Sequence, residues 1–270
     1  MQGRLPIALA LAVSMVNVAG ADEPAPLQSR PRLEWALTVA GGAVWLTETL
    51  AIAELAPSTC RWCESNALDD WARGLAWSDP RLARTTSDIL SYGIAPLAAG
   101  GFLVLGAVRD GHPEDLTTDL LISAEAVVAA GVSGDLIRVL TGRERPWVHQ
   151  LAPEDKPETE RPEQNNLSFI SGHTATAFAL AVSSGVVASR RRRRVVPAVW
   201  ATGLTLAAAS AYLRIASDQH YLTDVLAGVG SGVAIGLAVP WFHRARSRDS
   251  AVVVSLAPAG AGALLLLTLR

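Results

Sequence analysis

Charge is scarce in this sequence, and neither sign is in large excess. Only 18% of the 270 residues are charged, the formal net charge is -2, and Lys156 is the single lysine. Aromatic residues make up 6% of the chain. Nucleic-acid binding needs a basic surface, commonly with aromatic platforms, and neither is visible here, so the sequence gives no case for that class.

Cysteine is nearly absent as well. The two cysteines, Cys60 and Cys63, stand three positions apart, and without neighbouring histidines they do not make a zinc site. In an exported chain they could form a tight disulfide; an unpaired role and a redox-active pair are the alternatives. No carboxylate cluster with metal-ligand spacing lies beside the histidines, so we expect no metal and no cofactor.

Apolar residues are what the sequence has in quantity: half of it is hydrophobic, and its mean hydropathy is +0.28. Residues 1–21 resemble a bacterial signal peptide, with Arg4 in a positive n-region, a short apolar core and Ala19-Gly20-Ala21 as a small-x-small cleavage site. An uncleaved membrane anchor is the alternative. Either way, the chain is predicted to enter the export machinery.

Long apolar segments predict an all-α helical bundle, embedded in a membrane. They cover residues 35–55, 87–108, 116–140, 174–189, 195–213 and 221–242. Segment 35–55 is long enough to span, but Glu48 and Glu54 make it a poor span. Residues 68–82 mix tryptophan with charged residues, which predicts an amphipathic, interfacial helix.

The chain therefore divides into four parts. Residues 1–21 are the signal peptide, and residues 22–86 hold a linker, an apolar helix and the interfacial helix. Residues 87–248 form the helical core. In the tail, residues 249–270, two strand-like runs flank a Gly-rich turn, which predicts a β-hairpin.

One stretch concentrates chemistry-bearing side chains within this apolar chain. Arg214, His220 and Asp224 stand at fixed offsets. His220 and Asp224 are four apart, so on a helix they would share one face. A carboxylate there could fix the imidazole tautomer and leave the other ring nitrogen free as nucleophile or base. A satisfied histidine with a capping acid is the plainer interpretation.

Two upstream stretches favour the chemical interpretation. Arg138 and Arg145 are separated by six residues, with Pro146 following, and Ser171-Gly172-His173 stands directly before an apolar helix. With the stretch from Arg214 to Asp224, these motifs resemble the signature of the type 2 phosphatidic acid phosphatase/vanadium haloperoxidase superfamily. That signature is Lys-x6-Arg-Pro, Pro-Ser-Gly-His and Ser-Arg-x5-His-x3-Asp. Order and internal spacing agree over residues 138–224.

The resemblance implies a metal-independent phosphatase with a helical bundle of this superfamily's type. It implies that His220 attacks phosphorus and forms a phosphohistidine, that Asp224 orients His220, and that His173 protonates the leaving oxygen. The phosphate-binding set that it implies is Arg138, Arg145, Ser171, Gly172 and Arg214.

The sequence departs from the signature at three positions. Arg138 replaces lysine and keeps the charge, whereas Ile170 replaces the proline and Leu213 replaces the serine. Arg143, which lies inside the first motif, is expected to be solvated. Residues 153–164 predict a solvated loop that could serve as a lid.

A membrane setting suggests a phosphorylated lipid as substrate, and the sequence does not choose among phosphatidic acid, phosphatidylglycerol phosphate, polyprenyl pyrophosphate and lipid A phosphate. The alternatives are a soluble periplasmic acid phosphatase, a vanadium haloperoxidase and a non-catalytic bundle that binds anionic lipid. No protein partner is identifiable.

Charge placement predicts sidedness. Five consecutive arginines, Arg190 to Arg194, lie between two apolar segments, and basic residues also follow the last segment, at 243–248. The positive-inside rule assigns both to the cytoplasm and places the motif-bearing loops in the periplasm. This agrees with cleavage after Ala21 only if segment 35–55 does not fully cross the inner membrane.

Overall fold

The computed structural model describes residues 27–28 and 31–244, together with the backbone of residues 252–259 and 262–269. Helices dominate the described part, as the sequence predicts. The α-helices are α1 (Pro31–Leu50), α2 (Ile52–Leu55), α3 (Ala67–Arg73), α4 (Pro80–Ile89), α5 (Ala95–Arg109), α6 (Leu116–Thr141), α7 (Pro146–His149), α8 (Gly172–Arg190), α9 (Val196–Ala216) and α10 (Leu222–Phe242). A π-helical turn, Leu90–Ile94, joins α4 to α5 without a break, and short 3₁₀ turns lie at Pro113–Asp115, Lys156–Glu158 and Pro162–Gln164.

Helix α8 is the centre of the bundle and packs against α10, α9, α6 and α5. Its neighbours approach closely where glycine removes the side chain. A Cβ on Gly232 of α10 would lie 2.4 Å from the carbonyl oxygen of Ala175, and a Cβ on Gly185 of α8 would lie 2.5 Å from the Trp200 ring. Small residues at the crossings let apolar helices gain dispersion contacts between their backbones.

The bundle has two ends, which we name by their contents. At the motif end, α6 and α9 finish while α8 and α10 begin, so all three motifs lie there. At the arginine end, α8 and α10 finish while α6 and α9 begin, and the run Arg190 to Arg194 lies there. The spacing of helices along the chain thus places the two charge-rich regions about one helix length apart.

Four helical segments are long and apolar enough to cross a membrane: Pro80–Arg109, Pro113–Thr141, Val196–Ala216 and Leu222–Phe242. Only 22% to 44% of the residues in their most apolar stretches are buried inside the bundle. Leu97, Val108, Leu136 and Leu226 are among the apolar side chains left exposed. A soluble bundle would bury such side chains, so this surface is that of a membrane protein.

Segment 35–55 is not among these four candidate spans, and whether it crosses the membrane stays a prediction, although α1 runs along the bundle from one end to the other. Just before α1, the backbone N–H of Gln28 donates to the carbonyl of His243 at the arginine end, with an N···O distance of 2.8 Å. Helix α1 then packs along α6, and Trp45 and Thr49 line a cavity at the motif end. Its acids do not prevent this course, because α1 lies against the bundle rather than alone in lipid.

Three other expectations meet the structure with different outcomes. The helix predicted over residues 68–82 ends at Arg73, because Gly74 follows and Asp79 caps a new helix at Pro80. That new helix begins seven residues before the predicted core boundary at 87.

In the tail, strands β1 (Val252–Ala259) and β2 (Gly262–Leu269) pair antiparallel, with Ala259 opposite Gly262, so the hairpin is present. The signal peptide, residues 1–21, lies outside the described residues.

Candidate active site

A cavity of about 390 Å³ opens at the motif end of the bundle. Three elements of the sequence signature meet there, although they are separated by as many as 82 positions along the chain. The lining residues are Arg84, Asp88, Tyr92, Arg138, Arg145, Trp147, Glu160, Arg161, Gln164, His173, Arg214, Gln219 and His220. The structure therefore brings together the three predicted arginines and both predicted histidines.

Arg145 is buried, and uncharged oxygen acceptors hold its guanidinium. Its Nε donates to the carbonyl of Gln164 at 2.7 Å, and its Nη1 donates to the side-chain oxygen of Gln219 at 2.7 Å. Burial, and then the positive charges of Arg214 and Arg138, hold the pKa of Arg145 well below its ordinary value. A buried guanidinium among like charges is stabilised by an anion in the cavity.

Arg138 and Arg214 approach the cavity from the last turns of α6 and α9. Arg138 forms an ion pair with Asp135, one turn earlier on its own helix. Arg214 donates from Nη1 to the Ser87 hydroxyl at 2.9 Å and lies 3.4 Å from Asp88. These partners fix the direction of each guanidinium while leaving most of its donors for a ligand.

His220 is buried, and its Nδ1 lies 2.7 Å from the carbonyl oxygen of Ser168. Since a carbonyl only accepts, Nδ1 carries the proton and Nε2 keeps its lone pair on the cavity side. Burial, followed by the charge of Arg145, holds the pKa of His220 well below its ordinary 6.5. The neutral, nucleophilic form of the imidazole is therefore the resting one.

Asp224 acts on His220 less directly than the sequence predicts. Helix α10 begins at Leu222, so His220 precedes the helix and does not share a helical face with Asp224. The Asp224 carboxylate lies 3.8 Å from Nδ1 of His220. Its close contacts are the Ser168 hydroxyl at 2.6 Å and the Tyr221 backbone N–H at 2.9 Å. Asp224 thus holds Ser168, and the carbonyl of Ser168 holds His220.

His173 lies in the first turn of α8, across the cavity from these groups. Its Nε2 is 2.7 Å from the Asp88 carboxylate, and its ring packs against Tyr92 with a centroid distance of 4.7 Å. The Asp88 carboxylate favours the protonated imidazole, but burial and then the positive charge of Arg214 outweigh it and lower the pKa of His173 to about 3. The imidazole is therefore neutral at rest, and a bound anion would favour its protonation. Asp88 was missed from sequence; the signal was an acid in a long apolar segment, since such residues commonly mark functional sites.

Ser171 and Gly172 stand apart from the cavity lining. The Ser171 hydroxyl is buried and pairs with the Thr174 hydroxyl at 2.9 Å, so it does not face the site as expected. Gly172 lines an adjoining cavity of about 350 Å³, next to Arg138. No side chain caps the start of α8. The positive end of its dipole therefore remains available to an anion.

The prediction that Arg143 is solvated is wrong. Its side chain is fully buried and forms ion pairs with Asp69 and Asp224. Two of the three departures from the signature are buried as well: Ile170, and Leu213, which packs in a core cluster with Ala83. The sequence gives no periodic signal for Arg143, because its partners lie up to 81 positions away.

The predicted loop over residues 153–164 forms part of the site. Gln164 supplies two acceptors to Arg145, and Glu160 and Arg161 line the cavity. Nearby, Cys60 and Cys63 are joined as a disulfide. The loop and the disulfide segment thus border the motif end from different parts of the chain.

A separate cluster of potential ligands lies at the arginine end, where Glu34, Glu125 and His243 converge. Glu125 lies 2.6 Å from Nε2 of His243, whereas Glu34 lies 3.6 Å from Nδ1. The two carboxylates face different ring nitrogens. This suits a protonated imidazole between two acids, and it fits poorly with one metal ion bound to one nitrogen.

Comparison with known proteins gives one family match, over the part of the sequence that carries the motifs. Residues 119–248, which contain all three motifs, match the sequence model of the PAP2 superfamily. The predicted resemblance to this superfamily is therefore confirmed over these residues.

One solved structure is similar over 75% of this chain and 94% of its own, with 17% identity and a TM-score of 0.45. It is described as the first transmembrane PAP2 type phosphatidylglycerolphosphate phosphatase from Bacillus subtilis. No curated protein matches the sequence.

Proposed function

We propose that this protein hydrolyses a phosphate ester or pyrophosphate of a membrane lipid through a phosphohistidine on His220. One observation carries the proposal: the three motif arginines and the two motif histidines line the same cavity of about 390 Å³. Three guanidinium groups suit a dianionic phosphoryl group and the charge that its transition state spreads over the equatorial oxygens. A merely structural site would not need an unprotonated, buried imidazole beside them.

The proposed reaction has two displacements. Nε2 of His220 attacks phosphorus, forming the N–P bond while the bond from phosphorus to the leaving oxygen breaks. His173 transfers its proton to that oxygen, so the leaving group departs as a neutral alcohol. Water then attacks phosphohistidine; His173 takes a proton from the water, the N–P bond breaks, and neutral His220 and inorganic phosphate result.

Asp88 is the proposed partner of His173 in this cycle. In this proposal the His173 imidazole takes up a proton when the phosphate dianion binds, and the Asp88 carboxylate, 2.7 Å from Nε2, stabilises the protonated ring until that proton passes to the leaving oxygen. Arg214 contacts Asp88 as well, at 3.4 Å. The same arginine therefore links the phosphate-binding set to the proton donor.

The lipid nature of the substrate follows from the setting of the cavity. It lies where α6 and α9 end, and these helices belong to segments long and apolar enough to span a bilayer. A headgroup phosphate at the membrane surface would be at this depth while its apolar chains stay in lipid. The proposed localisation is the bacterial inner membrane.

Sidedness is proposed from the two ends of the bundle. The arginine run lies at the end opposite the cavity, and the positive-inside rule assigns that end to the cytoplasm, so the site faces the periplasm. Residues 27–28 contact residues 243–244 at the arginine end. In the proposed topology the start of α1 would therefore be cytoplasmic, which does not agree with release of residue 22 into the periplasm by cleavage after Ala21.

The function is tested by phosphate release from purified full-length protein in detergent, over lipid and soluble phosphomonoesters. Because arginines supply the positive charge, we expect release to continue in excess EDTA, and we expect vanadate to inhibit as a transition-state-like anion. Phosphate release that stops with EDTA and returns with Mg²⁺ would contradict the proposed chemistry. Turnover of soluble esters alone would contradict the lipid assignment.

Sidedness is tested by labelling single cysteines in intact spheroplasts, in a background with Cys60 and Cys63 replaced. A cysteine at Glu158, on the loop beside the cavity, should react with an impermeant maleimide. One at Arg192 should react only after lysis. The reverse pattern would place the active site in the cytoplasm.

A further inference from the structure

Arg143 is absent from the cavity lining and yet is the largest fully buried side chain in the described part of the protein. Its Nη1 donates to the Asp224 carboxylate at 2.5 Å and to the Thr223 hydroxyl at 2.7 Å. Its Nη2 donates to the Asp69 carboxylate at 2.7 Å. One planar guanidinium therefore bridges two acids that a point charge would not hold in the same geometry.

Aromatic rings close both faces of this guanidinium. The Arg143 Cζ lies 3.9 Å from the centroid of the Trp62 ring and 4.2 Å from that of Tyr221. Rings on both faces favour the cation and exclude water from it. The bridge between the acids is consequently dry and restrained in every direction, which is a costly arrangement for an arginine without a role.

The contacts continue from Arg143 to the proposed nucleophile. Asp224 accepts from the Ser168 hydroxyl at 2.6 Å, and the carbonyl of Ser168 faces Nδ1 of His220 at 2.7 Å. The backbone adds a second tie, because the Ser168 N–H donates to the carbonyl of Arg143 at 3.0 Å. Arg143 thus holds the residue that fixes the tautomer of His220 by both its side chain and its main chain.

The outer partners of Arg143 come from residues 60–73, which lie outside the region that matches the family. The disulfide between Cys60 and Cys63 closes a short loop around Trp62, and Glu144 donates its N–H to the carbonyl of Trp62 at 3.0 Å. Asn66 caps α3 and fixes Asp69, donating from Nδ2 at 2.6 Å. We call residues 60–73 the N-terminal brace.

We propose that Arg143 is a positioning residue for His220, and that the N-terminal brace holds it in place through Trp62 and Asp69. The inference rests on the proposed function, since it assigns Arg143 to the phosphorylation step. Arg143 touches neither the cavity nor, in this proposal, the phosphate. Its loss should therefore affect the alignment of the nucleophile and leave ground-state phosphate binding intact.

The test uses full-length Arg143→Lys, which keeps one positive charge between the acids but loses the fork. A misplacement of the nucleophile by about 1 Å can cost about 10²-fold in rate, and we expect a fall in kcat of that order. The KM, and the inhibition constant of inorganic phosphate, should stay within about twofold. The inhibition constant of vanadate should rise in parallel with the loss of kcat, because vanadate resembles the transition state.

A second variant, Asp69→Asn, keeps the shape of the brace and weakens its hold on Arg143. As in Arg143→Lys, kcat should fall and the inhibition constant of vanadate should rise, but both by a smaller factor. Asp70→Asn is the matched control: it makes the same change one position further along α3, where the exposed Asp70 carboxylate accepts from the Ser65 hydroxyl at 2.6 Å instead of from Arg143. Its kcat should remain near that of the unmodified protein.

The outcomes separate this inference from the proposed function. If the unmodified protein releases no phosphate from any ester, the proposed function fails and this inference fails with it. If that protein is active and Arg143→Lys matches it, Arg143 is not a positioning residue. Equal losses in kcat, phosphate affinity and vanadate affinity, accompanied by a lower unfolding temperature, would show a purely structural role and overturn the inference as well.

Discussion

Arginines gather at both ends of the bundle, but the two groups have different partners. At the arginine end, Arg191 lies within 3.0 Å of Asp115 and Asp119, and Arg193 lies 2.8 Å from Asp115. At the motif end, Arg145 is held by side-chain and backbone oxygens of Gln164 and Gln219, which are neutral. Ion pairing thus neutralises Arg191 and Arg193, whereas Arg145 is oriented without being neutralised.

This difference teaches more than the number of arginines does. A positive charge whose carboxylate partner is already in place contributes to stability and topology, and it has little left for a ligand. A charge held by amide oxygens keeps its full electrostatic attraction for an anion. Arg138 and Arg214 are intermediate, because each has one nearby acid. We therefore expect variants at the two ends to fail in different ways.

The largest effect should come from the nucleophile at the motif end. His220→Ala should reduce phosphate release to background for every substrate, because without Nε2 no phosphoenzyme forms. His243→Ala is the matched control at the arginine end, and it should retain turnover. The measurement is phosphate release, together with trapping of acid-labile phosphoprotein. Aryl phosphatase activity that survives in His220→Ala would refute the assignment of the nucleophile.

The next effect should depend on the leaving group. General acid catalysis contributes about 10²- to 10⁴-fold, so His173→Ala should lower kcat by that factor for a lipid substrate, whose alkoxide leaves poorly. An aryl phosphate leaves as a stable phenolate and should lose much less. The comparison requires that breakdown of phosphohistidine does not limit turnover, which a burst experiment checks. Equal losses for both substrates, with no burst, would remove His173 from the acid role.

Much of this site can be predicted from the spacing of its motifs in the sequence. The residues that hold the motif side chains in place cannot. The motifs fix which residues stand at the ends of apolar helices, and antiparallel packing of those helices brings Arg138, His173 and Arg214 together. The contact of Asp88 with His173 spans 85 positions, and that of Asp69 with Thr223 spans 154. No local periodicity encodes such pairs, since they depend on how α3 and α4 pack on the finished bundle.

Prediction of the bundle from sequence succeeds for the positions of helices and fails for contacts between distant residues. Helix positions follow from apolar runs, and the observed bounds of α6 and α10 lie within one residue of the predicted ones at each end. The course of α1 along the bundle does not follow from its own residues, because it depends on contacts with residues far along the chain. In the folded protein, Glu34 lies 3.6 Å from His243, so the environment of that acid is set by a residue more than 200 positions away.

A third prediction compares one arginine from each end. Arg145→Gln removes a donor from the phosphate site, and loss of a transition-state donor typically costs about 10²- to 10³-fold in kcat. Arg191→Gln should leave kcat nearly unchanged and lower the unfolding temperature, because Asp119 remains buried without its closest partner. Phosphate release and thermal unfolding on both variants check this. Similar kinetic losses for the two would break the distinction between the ends.

The smallest expected effect is a shift along the pH axis. The pKa of His220 is held well below its ordinary 6.5 by burial, and next by the charge of Arg145. A lowered pKa means that the imidazole stays neutral, and so nucleophilic, as the pH falls below 6.5. The acid limb of kcat/KM that belongs to His220 should therefore lie below that value. In Arg145→Gln the first of the positive neighbours is gone, so the pKa rises and the acid limb moves to higher pH. The phosphate ester has its own second ionisation near pH 6; using one substrate for all variants makes that contribution common to every profile. Arg191→Gln, from the other end, should not move the limb. An acid limb that stays in place in Arg145→Gln would mean that the charges at the motif end do not act on the nucleophile, and the contrast between the two ends would then concern phosphate binding alone.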